Sequence, residues 1–367
     1  MSTFRISYEL NTDSAKEVAE AIRVEQTIEF PIELAPTWIQ NEVVGQVVNL
    51  NSLANNRSLL EIDYNVGITG NELPQLLNVL WGNVSMFPDV RVVDIELEQD
   101  QLAVFKGPRF GISGLREYFG IKNRPILATA LKPMGLSAKE MAQIAVVMVE
   151  AGIDLIKDDH SLANQPWALW EDRVKIIASA VNEANEKFGT KSVYAPSVNL
   201  PADQIIDSAI RAAQLGSGAL MVLPGVSGFD TMRAIADNDE IALPIMSHPS
   251  MLGSHFMSKN HGINHEIVLA TLMRLAGADI SVFPNYGGRF SFSKDECTKI
   301  ADTCRSQLGE IKTIWPSPGG GMTIERISEI INFFGNDTVF LIGGALHRGN
   351  LLENAKSLRN IVDKIEG

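Results

Sequence analysis

Two rhythms of apolar and polar positions divide this chain. Over residues 1–120, short alternating stretches are mixed with helical spacing. Phe4–Leu10 alternates as a strand does, and Asp13–Val24 carries apolar residues at helical intervals. Ser14 and Glu17 stand at the spacing of a capping box and predict the start of that helix. Further strands are expected at Val43–Leu50, Ser58–Tyr64 and Arg91–Leu97, with a helix over Glu72–Trp81. The order βαβ, then β, α, β, predicts a ferredoxin-like α+β domain. The turn-rich Lys106-Gly107-Pro108-Arg109-Phe110-Gly111 reads as the linker to a second domain, residues 121–367.

From Pro125 the pattern becomes a regular beat. Apolar runs at Ile126–Lys132, Ile153–Lys157, Ser192–Asn199, Ala219–Leu223, Leu243–His248, Asp279–Phe283, Thr313–Pro316 and Thr338–Ile342 read as strands. Helical segments lie between them, among them Ala138–Ala151, Ala202–Leu215, His265–Ala276 and Ile324–Phe334. The first of these has a capping box of its own, Ser137 with Glu140. Eight strand–helix units predict an α/β fold, a (β/α)8 TIM barrel behind the small domain. A doubly wound sheet is the alternative, but it usually shows a glycine fingerprint after its first strand. Lys132-Pro133-Met134-Gly135 is not one.

Composition changes this picture little. The chain has 367 residues, 45% hydrophobic and 20% charged, as globular proteins do. A net charge of -13 argues against a nucleic-acid partner. No apolar stretch reaches the length of a membrane span, and no apolar leader opens the chain. Cys297 and Cys304 lie seven apart in the expected helix Phe292–Leu308, too far for a disulfide. They read as buried free thiols in a reducing cytoplasm.

A barrel gathers its chemistry at the carboxyl ends of its strands. Here those ends carry Lys132, then Lys157-Asp158-Asp159-His160, Asn199, Ser247-His248 and Asn285-Tyr286-Gly287-Gly288-Arg289. The last two end in Pro318-Gly319-Gly320-Gly321 and Gly343-Gly344. This convergence of polar groups on one face points to an enzyme. Glycines ahead of helices let backbone N–H groups approach an anion, so Gly319, Gly320, Gly321, Gly343 and Gly344 are expected to bind phosphate. Glycine pairs also make plain tight turns, but two sets at these strands favour the anion site. Lys132 and Lys157 are candidates for a base or a carbamate former, or for a structural ion pair with Asp158 or Asp159. His248 is a modest catalytic candidate, while His255, His261 and His265 read as surface or capping residues. His347, beside the second glycine pair, suits either an anion or solvent.

Ala130-Leu131-Lys132-Pro133, Gly152–His160, Asn164-Gln165-Pro166-Trp167, the glycine triplet and Gly343-Gly344 together resemble the RuBisCO superfamily. Trp81-Gly82-Asn83-Val84 and Lys106-Gly107-Pro108 add to the match. The resemblance implies that Lys157 is carbamylated and holds Mg2+ with acidic partners, Asp159 being one. It implies that Lys132 handles protons at an enediolate. It also implies that Glu25 and Asn83 are contributed to a partner's site in a head-to-tail homodimer.

The departures are as informative. His160 replaces the second acidic ligand, Met134 a second lysine, and Pro249 an arginine that grips one phosphate. The stretch Val282–Arg289 lacks the mobile-loop lysine in its usual context. One phosphate instead of two is the economical inference, and productive CO2 fixation is not expected. The chain is therefore similar to RuBisCO-like proteins, form IV. Imidazole suits softer metals than Mg2+, so a softer ion, or none, is an alternative. Retained Mg2+ on carbamylated Lys157 and Asp159, with His160 as proton carrier or weak ligand, is the expectation. The leading reading is an enzyme acting on a monophosphorylated keto sugar or 3-oxo sugar-acid phosphate. It would decarboxylate or hydrolyse a carbon–carbon bond, as in apionate catabolism. A 2,3-diketo-5-methylthiopentyl-1-phosphate enolase or related sulfur-salvage isomerase is the alternative, against which His160 counts. A non-catalytic regulatory protein is the alternative from another class, against which the intact Lys132, Lys157 and Asp159 count.

Overall fold

The computed structural model describes residues 2–366, so Met1 and Gly367, the outermost positions of the expected domains, lie outside it. Among the described residues thirteen strands form two sheets. The first four are β1 (Thr3–Leu10), β2 (Gln46–Ser52), β3 (Ser58–Asn65) and β4 (Val90–Glu96). They lie in the order β4-β1-β3-β2, antiparallel throughout, with the helices Ala15–Glu25 and Leu73–Trp81 between them in sequence. This is the ferredoxin-like arrangement. β1 alternates because Phe4, Ile6, Tyr8 and Leu10 face the helices and are buried.

The second sheet holds β5 (Ile126–Leu131), β6 (Leu155–Asp158), β7 (Val193–Ala195), β8 (Leu220–Val222), β9 (Ile245–Ser247), β11 (Ile280–Pro284), β12 (Trp315–Gly319) and β13 (Val339–Leu341). Every ladder in it is parallel. A bridge between Ser197 and Met221 joins β7 to β8 and completes the ring. All six residues of β5 are buried, as a strand covered on both faces requires. The interior is filled by Ala128, Leu155, Ala195, Met246, Val282, Trp315 and Leu341. Leu115 and Phe119 of the helix Gly111–Phe119 plug the base.

The short strand β10 (Gly262–Ile263) leaves the barrel and pairs with β4 in parallel. Arg91 fastens that junction through Asn264 Oδ1 (2.7 Å) and the carbonyls of Ser258, His261 and Ile263. Among the described residues no helix is long and apolar enough to cross a membrane.

Local departures from the sequence pattern have physical causes. Ser137 and Glu140 form the expected capping box, but Ser14 makes no side-chain cap. There the backbone enters at φ -99° and ψ 39° instead of extended, and the N–H that Glu17 would accept from is taken by Thr12 Oγ1 at 3.2 Å. The strand expected from Val43 begins at Gln46, because the helix Thr37–Glu42 precedes it and Gly45 passes close over β3. A Cβ on Gly45 would lie 2.9 Å from Ile62 Cγ2. β12 runs to Gly319, further than Pro316, and the following helix starts at Ile327, later than Ile324.

Candidate active site at the barrel mouth

The end of β6 sends consecutive side chains to opposite faces. Asp158 points away from the mouth and is fully buried. Its carboxylate accepts from Arg173 Nη2 (3.2 Å), Tyr194 Oη (2.7 Å) and the Ser197 N–H (3.0 Å). Arg173, also fully buried, donates in addition to the Ala163 and Ala168 carbonyls. This network ties the β6 loop to the helix Trp170–Phe188 and to β7. Asp158 is thus a scaffold residue and pairs with Arg173 instead of Lys157.

Lys157 and Asp159 face the mouth. Lys157 is 1% exposed. Its Nζ donates to the Asp158 carbonyl at 2.8 Å and lies 3.3 Å from Met221 Sδ. Burial pushes this ammonium down to about 8; the nearby Asp159 charge opposes the shift and the Lys132 charge adds to it. About a tenth of the amine is therefore neutral at pH 7, far more than for an ordinary lysine.

Asp159 Oδ1 accepts from Lys132 Nζ at 2.5 Å and lies 3.3 Å from His160 Nδ1. Ser161 Oγ donates to Oδ2 at 3.0 Å. Burial alone would raise this carboxyl, but the hydrogen bonds from His160 and Lys132 and the two lysine charges hold it well below the carboxylate range. The His160 ring stacks on His248, with centroids 4.8 Å apart and planes 4° from parallel. Ser250 meets His248 Nδ1 twice, through Oγ at 2.9 Å and through its N–H at 3.3 Å, and the tautomer with its proton on Nε2 accepts both. Burial and the Lys157 and His160 charges keep His248 neutral, well below its ordinary value.

The glycine loops stand beside these groups. Lys132 lies along Gly343, where a Cβ would sit 3.6 Å from its Cε. The 3-10 turn Gly344–His347 follows. Gly319 belongs to the β12 ladder opposite Leu341 and is buried, so packing explains it. Gly320 and Gly321 are exposed with φ of 79° and 67°, which glycine alone adopts freely. Glu25 and Asn83 meet each other in the amino-terminal region, Asn83 Nδ2 donating to Glu25 Oε1 at 2.8 Å.

The other histidines divide. His265 is not a surface residue: it is buried between Phe256 and Phe292, 3.7 Å from Glu296. His255 and His261 are half-buried, and His261 packs on Trp81 of the amino-terminal sheet's last helix. Both cysteines are buried and free, their thiols pushed up to about 12 by burial.

Among the described residues no three His, Cys, Asp or Glu side chains gather as a metal-binding group. Asp159 and His160 supply two donors, and a carbamate on Lys157 would supply the third. The buried, partly neutral Lys157 amine has the chemistry that CO2 addition needs, so the residues fit such a site on that condition.

Ser161, Met221, Ser250, Arg173 and Tyr194 escape a reading of the sequence. Arg173 had a signal: it occupies the buried stripe of its helix with Trp170, Val174 and Ile177, where a cation needs a partner. Met221 meets Lys157 from a distant strand, and Ser250 meets His248 two residues away in an irregular turn; neither carries a signal in the sequence.

A ferredoxin-like sheet leading into a (β/α)8 barrel, with two lysines and an aspartate at its mouth, defines the class of RuBisCO-type folds. The comparisons agree. Residues 111–363 match the family model of the ribulose bisphosphate carboxylase large chain, catalytic domain. The structure resembles a RuBisCO-like protein from Rhodopseudomonas palustris with a TM-score of 0.90 and 33% identity, covering 100% of this chain and 99% of that one. The 5-methylthioribulose-1-phosphate isomerase of Rhodospirillum rubrum is 33% identical over 355 residues, 96% of this chain and 91% of that protein. A 2,3-diketo-5-methylthiopentyl-1-phosphate enolase of Geobacillus kaustophilus is 31% identical over 294 residues, 79% of this chain and 71% of that protein. The chain belongs to the RuBisCO large-chain family, and within it to the RuBisCO-like proteins of form IV.

Proposed function

We propose that this protein moves a proton at the carbon beside the carbonyl of a monophosphorylated keto sugar, through an enediolate. The observation that supports this best is Asp159, which shares one carboxylate oxygen between Lys132 and His160 beside the buried Lys157. Lys132 is the mobile proton carrier: its ammonium gives a proton to the enediolate and its amine takes one back. Lys157 adds CO2 through its neutral amine, becoming a carbamate and releasing one proton. Carbamylated Lys157, Asp159 and His160 would then hold Mg2+, or a softer divalent ion given the imidazole. When bound, that ion supplies charge stabilisation to the enediolate oxygens. His248, neutral with its proton on Nε2, is suited to donate a hydrogen bond to a developing oxyanion.

The backbone of Gly320, Gly321, Gly343 and Gly344 would take the single phosphate, with Gly319 shaping the strand beneath. Glu25 and Asn83 would complete a partner's mouth in a homodimer. The reaction favoured is isomerisation or enolisation, in keeping with the names of the isomerase and enolase relatives. Decarboxylation or carbon–carbon hydrolysis of a 3-oxo sugar-acid phosphate is a second reading. The stacked His160–His248 pair favours it, by placing a second proton-transfer group where RuBisCO has an acid.

The test joins two measurements. Keto-sugar phosphates are screened by thermal shift and then for turnover, and carbamylation of Lys157 is followed by 13C NMR in labelled bicarbonate. Lys157→Ala is expected to lose the carbamate signal and to lower turnover by about a thousandfold or more. Turnover unchanged in that variant would discard the carbamate mechanism. Ligands bound with no turnover at all would favour a regulatory protein.

A further inference from the structure

The turn after β11 is fastened to the glycine loop after β12 at three levels. At the first, β11 and β12 pair through Pro284 and Gly319, and the Asn285 N–H continues the ladder to the Gly319 carbonyl at 2.9 Å. At the second, the two turns touch through their glycines. A Cβ on Gly288 would lie 3.2 Å from the Gly320 carbonyl oxygen, and one on Gly321 would collide with Gly288 Cα. Gly321 has no room for a side chain toward the other turn, and Gly288 has only a tight fit.

The third level is a set of side chains. Arg326 Nη1 donates to the Gly321 carbonyl at 3.4 Å. The same nitrogen lies 3.2 Å from where a Cβ of Gly287 would be. Arg326 therefore touches both loops at once. Its guanidinium carbon stands 5.4 Å from the Tyr286 ring centroid, and Lys294 Nζ stands 4.9 Å from the same centroid. Two cations thus hold one aromatic ring. The Tyr286 hydroxyl donates to Glu329 Oε1 at 3.0 Å, and its ring meets Phe333 edge-on at 4.9 Å. Tyr286 is 6% exposed, so the loop's anchor is sunk into the barrel's outer layer.

We propose that Arg326 latches the Tyr286–Gly288 turn onto Gly320–Gly321, so that the two loops form one preformed anion cradle and Arg326 is its positioning residue. The proposal rests on the phosphate reading of the glycine loop given above. A preformed cradle loses less freedom on binding than one that must be assembled.

The probe is inorganic phosphate, titrated calorimetrically into the full-length protein, with amide hydrogen exchange followed in both loops. Arg326→Ala is expected to weaken phosphate binding about tenfold. Exchange at 286–290 and 320–322 should rise together in that variant. Arg326→Lys keeps a cation near Tyr286 without the planar fork and should restore part of the affinity. Gly288→Ala inserts a wedge between the loops with Arg326 untouched and should weaken phosphate in the same direction, which also covers a poorly folding Arg326→Ala. Unchanged phosphate binding in Arg326→Ala and Gly288→Ala overturns the latch. So does weaker binding in Arg326→Ala alone with loop exchange unchanged, since Arg326 would then be a direct ligand. Absence of phosphate binding by the unaltered protein removes the phosphate reading itself, a different outcome from either.

Discussion

The two ends of the barrel treat buried charge in opposite ways. At the base two buried carboxylates, Asp279 and Asp154, are matched by donors. Asp279 accepts from the backbone N–H groups of Phe110 (2.7 Å), Gly111 (2.8 Å) and Ile245 (3.1 Å). Asp154 takes both arms of Arg124, at 2.8 and 2.7 Å, and the Leu127 N–H at 2.8 Å. At the mouth one carboxylate, Asp159, serves Lys132 and His160 within the field of Lys157. Cationic groups there outnumber the anion that holds them. A closed arrangement fixes structure; an arrangement short of negative charge is suited to receive an anion, whether carbamate, enediolate or phosphate.

Asp158 and Asp159 put this difference on neighbouring residues, and substituting each should separate the two regimes by the largest margin. Asp158→Ala leaves Arg173 fully buried without its carboxylate. A loss of about 3–5 kcal/mol of stability is expected, read from the urea midpoint. Asp159→Asn should cost less stability than Asp158→Ala, because its hydrogen-bonded partners Lys132 and His160 are part-exposed, and should lower turnover by about a thousandfold. If Asp158→Ala unfolds at the same urea concentration as the unaltered protein, the scaffold side of β6 has been misjudged.

The base offers an effect of intermediate size with a defined sign. Burial raises Asp279 from its ordinary 3.8 to about 6, against the backbone donors that pull it down. The folded protein thus holds this proton more tightly than the unfolded chain does. The stabilisation it brings is complete below pH ~4 and is lost as the pH rises to ~6, by about 3 kcal/mol in all. Above that window it no longer changes. Asp279→Asn should flatten this segment of the stability curve, measured as urea midpoints at several pH values across the window. A segment that keeps its slope in the variant assigns the titration to another group.

Much of this was legible in the sequence where the signal is local. Apolar runs such as Ile126–Leu131 announce barrel strands because both of their faces are covered. Lys157, Asp159 and His160 stand out because charges at the end of an apolar strand need a reason to be there. What was not legible depends on contacts across the chain. The His160–His248 stack joins loops after different strands. His265 sits in a polar stretch and is buried only because Phe256 and Phe292 close over it. The expected helix His265–Ala276 opens with a π turn at Ile267–Thr271, where the Leu269 carbonyl accepts from Ser281 Oγ on β11. The glycine triplet looked uniform, yet Gly319 belongs to a strand and only its two neighbours to a loop.

The smallest expected effect concerns two serines whose sequence context is alike. Ser14 with Glu17 and Ser137 with Glu140 share one spacing, and that spacing predicts two capping boxes. Only the second forms: Ser137 Oγ accepts from the Glu140 N–H, and the Glu140 side chain accepts from the Ser137 N–H at 2.8 Å. At Ser14 the backbone sits at φ -99° and ψ 39°, and the hydroxyl does not reach back to the helix. Ser137→Ala should therefore cost about 1 kcal/mol, while Ser14→Ala should cost a few tenths at most. Urea midpoints of the two single variants measure this directly. Equal losses would mean that the motif's spacing, rather than the backbone entering it, decides whether a cap forms.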